Sequence, residues 1–404
     1  MLKRILRKVK PLHRWLASKK QRWLWEKAQR NSAKIPQILP ADTKSFANWV
    51  WEAFPAETTA GPGFLKNLNT YGYTPEENQW LETIFGDTRQ LPAPFYAVFE
   101  NAEVVGEHGM HFNQEGQVIV EACLGQVEYL HRSMDHTYML HRHRYPVQEG
   151  PDAAIVLFNK LSRNFYHFYL ETLPRLQFLE KFTAETGIQP HVLLPENPPA
   201  FVKPLLAFYF NIGEERIATY RPGRMKVKTL ILPSYSFLRN HHLLWQTLKH
   251  PQWYRFYHQH PALQTLPKPP SVDVLVVSRK KATMRRILNE DALVASLAPA
   301  KVRVVCLEDL PLVEQMACFR HAKVAILPHG AGLSHMVTST GCSFIELYPD
   351  RRPRVNADFY ALAATLHIPH HVICCPSVGE AEDLTLTPDI LHIIQHICKP
   401  LLQT

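Results

Sequence analysis

From residue 153 onward, short apolar runs alternate with stretches in which apolar residues recur at helical spacing. The runs AAIVLF (153–158), HVLLP (191–195) and VKTLILP (227–233) predict buried parallel strands with helices between them. A second alternation begins at VDVLVVSR and predicts strands at 272–279, 301–307, 323–328, 343–349 and 370–375. The pattern therefore predicts an α/β protein with two doubly wound, Rossmann-like units that face each other across a cleft.

The segments that flank these units have other patterns. An irregular lead-in with a short helix at 76–85 is followed by antiparallel strand signals from 95 to 145. Four prolines between 260 and 271 predict a linker, and Thr387–Pro388 predicts the start of a last helix. The predicted division is a basic arm (1–34), an N-terminal α/β domain (35–260), a C-terminal Rossmann-like domain (271–380) and a C-terminal helix (381–404).

The net charge of +9 is concentrated at the N-terminus, where the first thirty residues hold eleven Lys and Arg and one acid, Glu26. The remainder is close to neutral, which argues against nucleic-acid binding. In residues 1–30 apolar side chains recur at helical spacing among the cations, so the arm predicts association with an anionic membrane surface. Pro11 interrupts the helical pattern, and a solvated tail or a partner contact is the alternative.

Two absences bear on the compartment. The seven cysteines are scattered without paired CxxC spacing, which indicates reduced thiols and neither a disulfide framework nor a zinc site. The sequence shows no secretory signal and no apolar stretch long enough to span a bilayer. We therefore expect a cytoplasmic protein, with peripheral attachment to the inner membrane face as the added possibility if the arm binds lipid.

A polar stripe interrupts the apolar stretch LSRNFYHFYLETLPRL (161–176). Asn164, His167, Glu171 and Arg175 are spaced by three, four and four residues, which places them in one sector of a helix. One interpretation is a solvent-facing edge with i,i+4 pairs. The aromatic neighbours favour the other, a partly buried His–carboxylate pair that serves as a general base.

Two loops that follow strands of the second unit carry features of an anion site. In PHGAGLSHM (328–336), glycines allow close approach of a ligand to a helix N-terminus, and His329 and His335 can donate hydrogen bonds. SRKKATMRRIL (278–288) places cations at the same sheet edge, where they could neutralise a diphosphate. Glu346, near the end of SFIELYP, could accept both hydroxyls of a ribose. A plain glycine turn, a solvated charge run and an ordinary Glu–Arg pair are the alternatives.

Missing motifs narrow the chemistry. The chain has no DxD, which disfavours a metal-chelating sugar transferase of the A type. It also has no GxGxxG after a strand and no GxSxG, so a nicotinamide enzyme and a hydrolase elbow lack support.

Four stretches together resemble glycosyltransferase family 61. They are NFYHFYLETLPRL, VSRKKATMRRILNEDAL, HGAGLSHMVTSTGCSFIELYP and FYALAATLHIPHHVI, and they keep the family's order over about residues 90–380. The resemblance implies a GT-B-like fold and an inverting enzyme with no required metal and no cofactor beyond its co-substrate, a nucleotide-sugar. It further implies transfer to a glycan or lipid-linked acceptor, as in capsule, exopolysaccharide or lipopolysaccharide assembly.

The resemblance also assigns roles by motif position. The donor would be bound by Ser278, Arg279, Arg285, Arg286, His329, Gly330, Ala331 and Gly332, with Glu346 at its ribose. The catalytic residues would be His167 and Glu171, in an acceptor-side N-terminal domain with Asn164 and Arg175 close to them. This chain has Glu171 where the family often has Asp, so the resemblance leaves open which of His167 and Glu171 is the base.

Two other hypotheses remain at this stage. One is a different GT-B-shaped enzyme that modifies polysaccharides, such as a pyruvyl or sialyl transferase. The other is a non-catalytic scaffold that recruits assembly enzymes through its basic arm.

The arm leads to a direct prediction. We expect the full-length chain to bind anionic liposomes through residues 1–30 and to be released by salt, because screening weakens exposed charge interactions. Co-sedimentation with phosphatidylglycerol vesicles measures this, with neutral vesicles as the control. Binding that is absent, or insensitive to salt, would contradict the interpretation.

Overall fold

The computed structural model describes residues 49–52, 57–59, 68–85, 89–91, 94–119, 142–234, 237–239, 247–249, 251–350 and 358–403. The predicted basic arm and its membrane contact lie outside these ranges. The strands are β1 (Trp49–Glu52), β2 (Glu57–Thr59), β3 (Leu68–Tyr71), β4 (Arg89–Leu91), β5 (Phe95–Val105), β6 (Met110–Phe112), β7 (Val147–Glu149), β8 (Ala153–Val156), β9 (His191–Pro195), β10 (Ile217–Tyr220), β11 (Arg224–Pro233), β12 (Phe237–Arg239), β13 (Thr247–Lys249), β14 (Val274–Val277), β15 (Val302–Val305), β16 (Val324–Pro328), β17 (Ser343–Pro349), β18 (His370–Cys375), β19 (Ser377–Val378) and β20 (Asp383–Leu384).

The α-helices of the described residues are α1 (Pro75–Phe85), α2 (Phe165–His167), α3 (Leu179–Thr186), α4 (Val202–Phe210), α5 (Pro251–Gln259), α6 (Glu290–Ser296), α7 (Leu312–His321), α8 (Asp358–Thr365) and α9 (Pro388–Leu402). The predicted start of the last helix is confirmed, because the Thr387 side chain caps α9 by accepting from the Ile390 N–H. Within the described residues no helix combines the length and the apolar character needed to cross a membrane.

The first sheet is mixed. Its main path runs β1-β5-β11-β8-β9-β10, with β6 beside β5 and β7 beside β11. The predicted parallel strands β8, β9 and β11 are confirmed, and β10 extends them. The antiparallel strand signals predicted from residue 95 are confirmed in β5 and β6, and the long strand β5 also runs antiparallel along most of β11.

The second sheet has the order β15-β14-β16-β17-β18-β3, and every neighbouring pair in it is parallel. Its five C-terminal strands follow the 2-1-3-4-5 order of doubly wound sheets, as the alternating pattern predicts. The edge strand β3 comes from the lead-in that the predicted division assigned to the N-terminal domain. The domain division is otherwise still a prediction, and so is the GT-B-like arrangement of the two units.

One hydrophobic cluster joins the two sheets. It contains buried side chains of the first sheet, such as Ile155, and of the second, such as Leu275 and Leu327. The predicted linker at 260–271 belongs to this cluster, because Leu263 and Leu266 are buried in it. The leucines between the prolines therefore pack this segment into the core, and its role as a linker between two domains is still a prediction.

The stretch after β8 departs from a regular α-helix. The helix α2 passes into a π-helical turn at Phe168–Thr172 and then into a 3-10 turn at Leu173–Leu176. Pro174 explains the change, because it has no N–H to donate to a carbonyl of the preceding turn. The Tyr257 hydroxyl instead donates to the Tyr169 carbonyl, at 2.6 Å.

The altered helix breaks up the predicted polar stripe. Asn164 is exposed and caps α2, accepting from the Tyr166 N–H. Arg175 is 4% exposed, and its guanidinium donates to the Pro233 carbonyl at 2.8 and 3.0 Å and to the Val156 carbonyl at 3.4 Å. Arg175 therefore joins the ends of β8 and β11, which is a structural role in place of the predicted acceptor contact.

We expect the substitution Arg175→Met to lower the free energy of unfolding by about 3 kcal/mol, because it leaves two buried carbonyls without a charged donor. Urea unfolding followed by circular dichroism measures the change. The control is Lys181→Met, in an exposed pair with Glu185, which we expect to stay within about 0.5 kcal/mol of the wild type. A loss as small as that of the control would contradict the role given to Arg175.

Candidate active site

The strand order of the second sheet locates its main crevice. In a 2-1-3-4-5 sheet the chain winds in opposite directions from the first and third strands, here β14 and β16, and ligands bind beyond their carboxyl ends. Ser278 and Arg279 follow β14, and His329 and Gly330 follow β16. Topology therefore brings the two predicted donor loops together.

The glycine loop leads from β16 into a 3-10 helix, Ala331–Thr338, rather than the expected α-helix. A Cβ on Gly330 would lie 3.0 Å from an Arg279 guanidinium nitrogen, and one on Gly332 would lie 3.1 Å from a Leu307 methyl. The small residues thus let an arginine approach the backbone of the loop. Ala331 is partly buried against the main hydrophobic cluster.

Two arginines converge on this loop. Arg279 is partly buried, donates from Nε to the Met284 carbonyl at 3.1 Å and has no carboxylate within ion-pair distance among the described residues. Burial lowers the pKa of Arg279, but a guanidinium remains charged at physiological pH. Arg285 adopts a left-handed backbone with φ 56° and donates to the His329 carbonyl at 2.6 Å, while Glu382 lies 3.3 Å from its Nε.

The other cations of the loop are held by acids. Lys280 lies 3.0 Å from Glu290, Lys281 lies 2.6 Å from Asp309, and the Nε of Arg286 lies 3.1 and 3.2 Å from the two oxygens of Asp383. The predicted donor contact of Arg286 would therefore have to compete with an ion pair already formed. The Ser278 hydroxyl is buried and accepts from the Lys280 N–H, which shapes the loop.

Glu346 is buried in β17, with 2% of its surface exposed. One carboxylate oxygen is bonded by His329 Nδ1 and the other by His370 Nε2, the latter at 2.9 Å. Burial alone would raise the pKa of Glu346, but electrostatic attraction to the two histidines and their hydrogen bonds lower it to about 2. The carboxylate thus faces imidazoles, in place of the predicted ribose hydroxyls.

His335, the other histidine of the loop motif, is fully buried and stacks on Phe319 with ring centroids 4.8 Å apart. Burial lowers its pKa to about 3, so it is neutral at physiological pH. It therefore packs the loop helix into the core instead of facing an anion.

The first sheet contributes a second His–Glu pair. His167 Nδ1 and Glu171 Oε2 are 2.7 Å apart, and the exposed fraction is 31% for the His167 side chain and 6% for that of Glu171. With Nδ1–H donated to the carboxylate, the imidazole keeps Nε2 as the atom that can accept a proton. This is the geometry of a histidine base oriented by a buried acid.

Aromatic contacts connect the two His–Glu pairs. The Tyr166 ring touches His167 and Phe359 at centroid distances of 5.1 and 5.3 Å, and Phe359 touches His329 at 5.7 Å. The Tyr166 hydroxyl also bonds Asp358, the first residue of α8. Both predicted halves therefore border one region between the sheets.

The roles of Tyr166, Phe359 and His370 in this region were not predicted. The first two are aromatic residues in apolar stretches, where the sequence pattern indicates only core. His370 opens the run HHVICC, which predicts a strand and says nothing of its side-chain partners.

A polar cavity of about 690 Å³ lies elsewhere, at the starts of β8 and β11. Its walls include Glu103 and Arg224, which bond each other at 2.6 Å, together with Glu149 and Asp152. It is at the opposite ends of these strands from His167 and Arg175, so it is separate from the site described above.

Two comparisons with known proteins indicate the class of enzyme that this chain is similar to. Residues 165–343 match the model of the family described as Glycosyltransferase 61. Over 106 residues, 25% of its length, the chain is 35% identical to the EGF domain-specific O-linked N-acetylglucosamine transferase of Drosophila melanogaster. The aligned part covers 20% of that relative. The family match supports the predicted resemblance to family 61 over residues 165–343. Both comparisons support a glycosyltransferase, whereas neither names capsule or polysaccharide assembly.

The burial of Glu346 leads to a prediction about pH. Its folded pKa is lower than the ordinary value of 4.5, so its charge stabilises the fold above that pH, and this contribution is lost as the pH falls toward 2. We expect Glu346→Gln to be less stable than wild type at pH 7, with a difference that narrows by pH 3. Urea unfolding at several pH values measures it, and a constant difference would contradict the assignment.

Proposed function

We propose that the protein is an inverting glycosyltransferase that moves a sugar from a nucleotide-sugar donor to a hydroxyl of a polysaccharide or glycoconjugate acceptor. The observation that carries this proposal is Arg279, a partly buried cation beside the Gly330 backbone at the crevice of the second sheet. Among the described residues no carboxylate lies within ion-pair distance of it, and Glu308 acts on its charge only from farther away. A desolvated cation at such a place favours an anionic ligand. The match to a glycosyltransferase family supports a nucleotide diphosphate as that ligand.

On the donor side, Arg279 and Arg285 and the glycine loop would bind the diphosphate, and Ser278 would hold the loop in shape. Two guanidinium groups can stabilise the negative charge that develops on the leaving group. The arginines would therefore neutralise the charge of the leaving group without a metal ion.

On the acceptor side, His167 is the better candidate for the base. It is five times as exposed as Glu171, and Glu171 already bonds its Nδ1. His167 Nε2 would take the proton of the acceptor hydroxyl, and the oxygen would attack the anomeric carbon. The bond from that carbon to the diphosphate would break, its electron pair leaving with the phosphate oxygen, and a single displacement inverts the configuration. Glu171 would stabilise the imidazolium that forms.

The donor and the acceptor classes are open to direct measurement. The name of the Drosophila relative contains N-acetylglucosamine, so UDP-N-acetylglucosamine belongs in the first panel of donors, beside other UDP-, GDP-, CMP- and dTDP-sugars. A bound donor raises the melting temperature by mass action. A response to CMP-sialic acid alone would favour a sialyl transferase.

We expect Arg279→Met to weaken binding of UDP, or of the nucleotide that the panel selects, by about tenfold or more, because a charge-assisted contact to phosphate is lost. Isothermal titration measures the affinity. Lys281→Met is the matched control in the same loop, since Lys281 is exposed and bound to Asp309. Equal losses in the two variants would indicate a general charge effect and contradict a specific diphosphate contact.

We expect Glu171→Gln to lower kcat for sugar transfer by about 10²-fold with little change in KM for the donor, because an uncharged amide no longer stabilises the imidazolium that forms when His167 takes up the proton. His167→Gln, which cannot take up the proton at physiological pH, should lower kcat at least as far. Initial rates of transfer or of donor hydrolysis provide the measurement. Near-normal turnover of His167→Gln would remove it as the base.

A further inference from the structure

Three buried side chains form a line across neighbouring strands of the second sheet. His329 directly follows β16, Glu346 lies in β17 and His370 is the first residue of β18. Their exposed fractions are 4%, 2% and 1%. The central carboxylate bonds both imidazoles, so the three side chains are one connected unit.

The hydrogen atoms of this unit can be assigned from its contacts. An ionised carboxylate only accepts hydrogen bonds, so His329 Nδ1–H and His370 Nε2–H must both donate to Glu346. His370 Nδ1 is buried without a partner, so a proton there would be a buried, unbonded donor. His370 therefore holds Glu346 through Nε2–H, and its Nδ1 makes no hydrogen bond.

One ring nitrogen of His329, Nε2, remains available to a ligand. His329 Nδ1 is used by Glu346, and Nε2 has no bond to the described residues. The backbone carbonyl of His329 is also bound, by Arg285 at 2.6 Å. His329 is thus fixed at its ring and at its backbone, beside Gly330 and Arg279.

Tyrosines enclose the outer ends of this line. The ring of Tyr348 is 4.9 Å from that of His329, and the ring of Tyr360 is 5.2 Å from that of His370. The Tyr360 hydroxyl bonds that of Tyr73, at 2.9 Å, just beyond the edge strand β3. Such walls limit rotation of the imidazoles and keep water from competing for the carboxylate.

We propose that Glu346 and His370 are positioning residues that hold His329 in one tautomer and one orientation, with Nε2 presented as a hydrogen-bond acceptor to a hydroxyl of the nucleotide donor. This inference rests on the proposed function for the identity of the ligand, but not for the fixed state of the histidine. The unit acts as a second layer behind the ligand contact, where loss of an orienting partner typically costs 10- to 100-fold in affinity or activity. His370 would act on the reaction only through Glu346 and His329.

The alternative role is purely structural, a polar bridge that stabilises three strands. That role predicts lower stability without a selective effect on His329 or on turnover. The choice of substitution at His370 distinguishes the positioning role from the structural role. In His370→Gln the side-chain amide can still donate to Glu346, whereas in His370→Leu the donor is lost and the volume is nearly kept. His371→Leu is the control on the opposite face of β18, where His371 stacks on Tyr71 with centroids 6.2 Å apart.

The first measurement uses the full chain with ¹⁵N-labelled histidine and needs no substrate. In the wild type we expect His329 to show a single Nδ1–H tautomer, and addition of UDP should shift its Nε2 resonance. In His370→Leu we expect a mixture of tautomers and a weaker response to UDP, and His370→Gln and His371→Leu should resemble wild type. An unchanged His329 signal in His370→Leu would overturn the inference.

The second measurement is turnover with the donor that the panel selects. We expect His370→Leu to lower kcat by about tenfold or more, with His370→Gln and His371→Leu within about threefold of wild type. An equal loss in His370→Leu and His371→Leu would indicate general destabilisation and overturn the inference. If the wild type transfers no sugar and ignores every nucleotide, the proposed function fails, while the histidine spectra still decide whether Glu346 and His370 fix His329.

Discussion

The packing of the irregular helix after β8 onto the 3-10 helix after β16 determines the arrangement of the site. Phe165 and Tyr169 contact the buried His335, and Tyr166 reaches Phe359 and Asp358. These contacts belong to a hydrophobic cluster that extends through both sheets. Because a close-packed core resists small displacements, His167 keeps a fixed position relative to Arg279 and Arg285. An enzyme that moves a group between two substrates requires such a relation.

The two His–Glu pairs have similar geometry and different surroundings. His167 is partly open, so its free nitrogen can exchange protons with solvent and substrate. His329 is almost fully buried, and Glu346, the carboxylate that it bonds, also bonds a second imidazole. The same side-chain chemistry therefore suits a base in one place and a fixed contact in the other. Burial, rather than residue type, makes the difference.

The sequence predicted the parallel strands and the two donor loops because apolar runs and glycines report directly on backbone structure. β9, β17 and β18 have the predicted bounds, and the loops at 279 and 329 meet as topology requires. It did not predict where the polar side chains point. Spacing placed Arg175 in one helical sector with His167 and Glu171, but Pro174 changes the helical register and the Arg175 guanidinium lies at strand ends. Glu346 was assigned to a ribose, and its two histidine partners were missed. These partners come from other strands, so spacing along the sequence does not reveal them.

The edge strand β3 has a consequence for how the chain reaches its native state. Leu68–Tyr71 pairs with β18, so residues about three hundred positions apart must meet before the second sheet is complete. Strand pairs between residues this far apart in sequence form late in folding. Until then the free edge of β18 presents unbonded peptide groups that can pair with a strand of another molecule. A fragment starting at β8 would keep that exposed rim permanently, so expression of the C-terminal half alone invites aggregation.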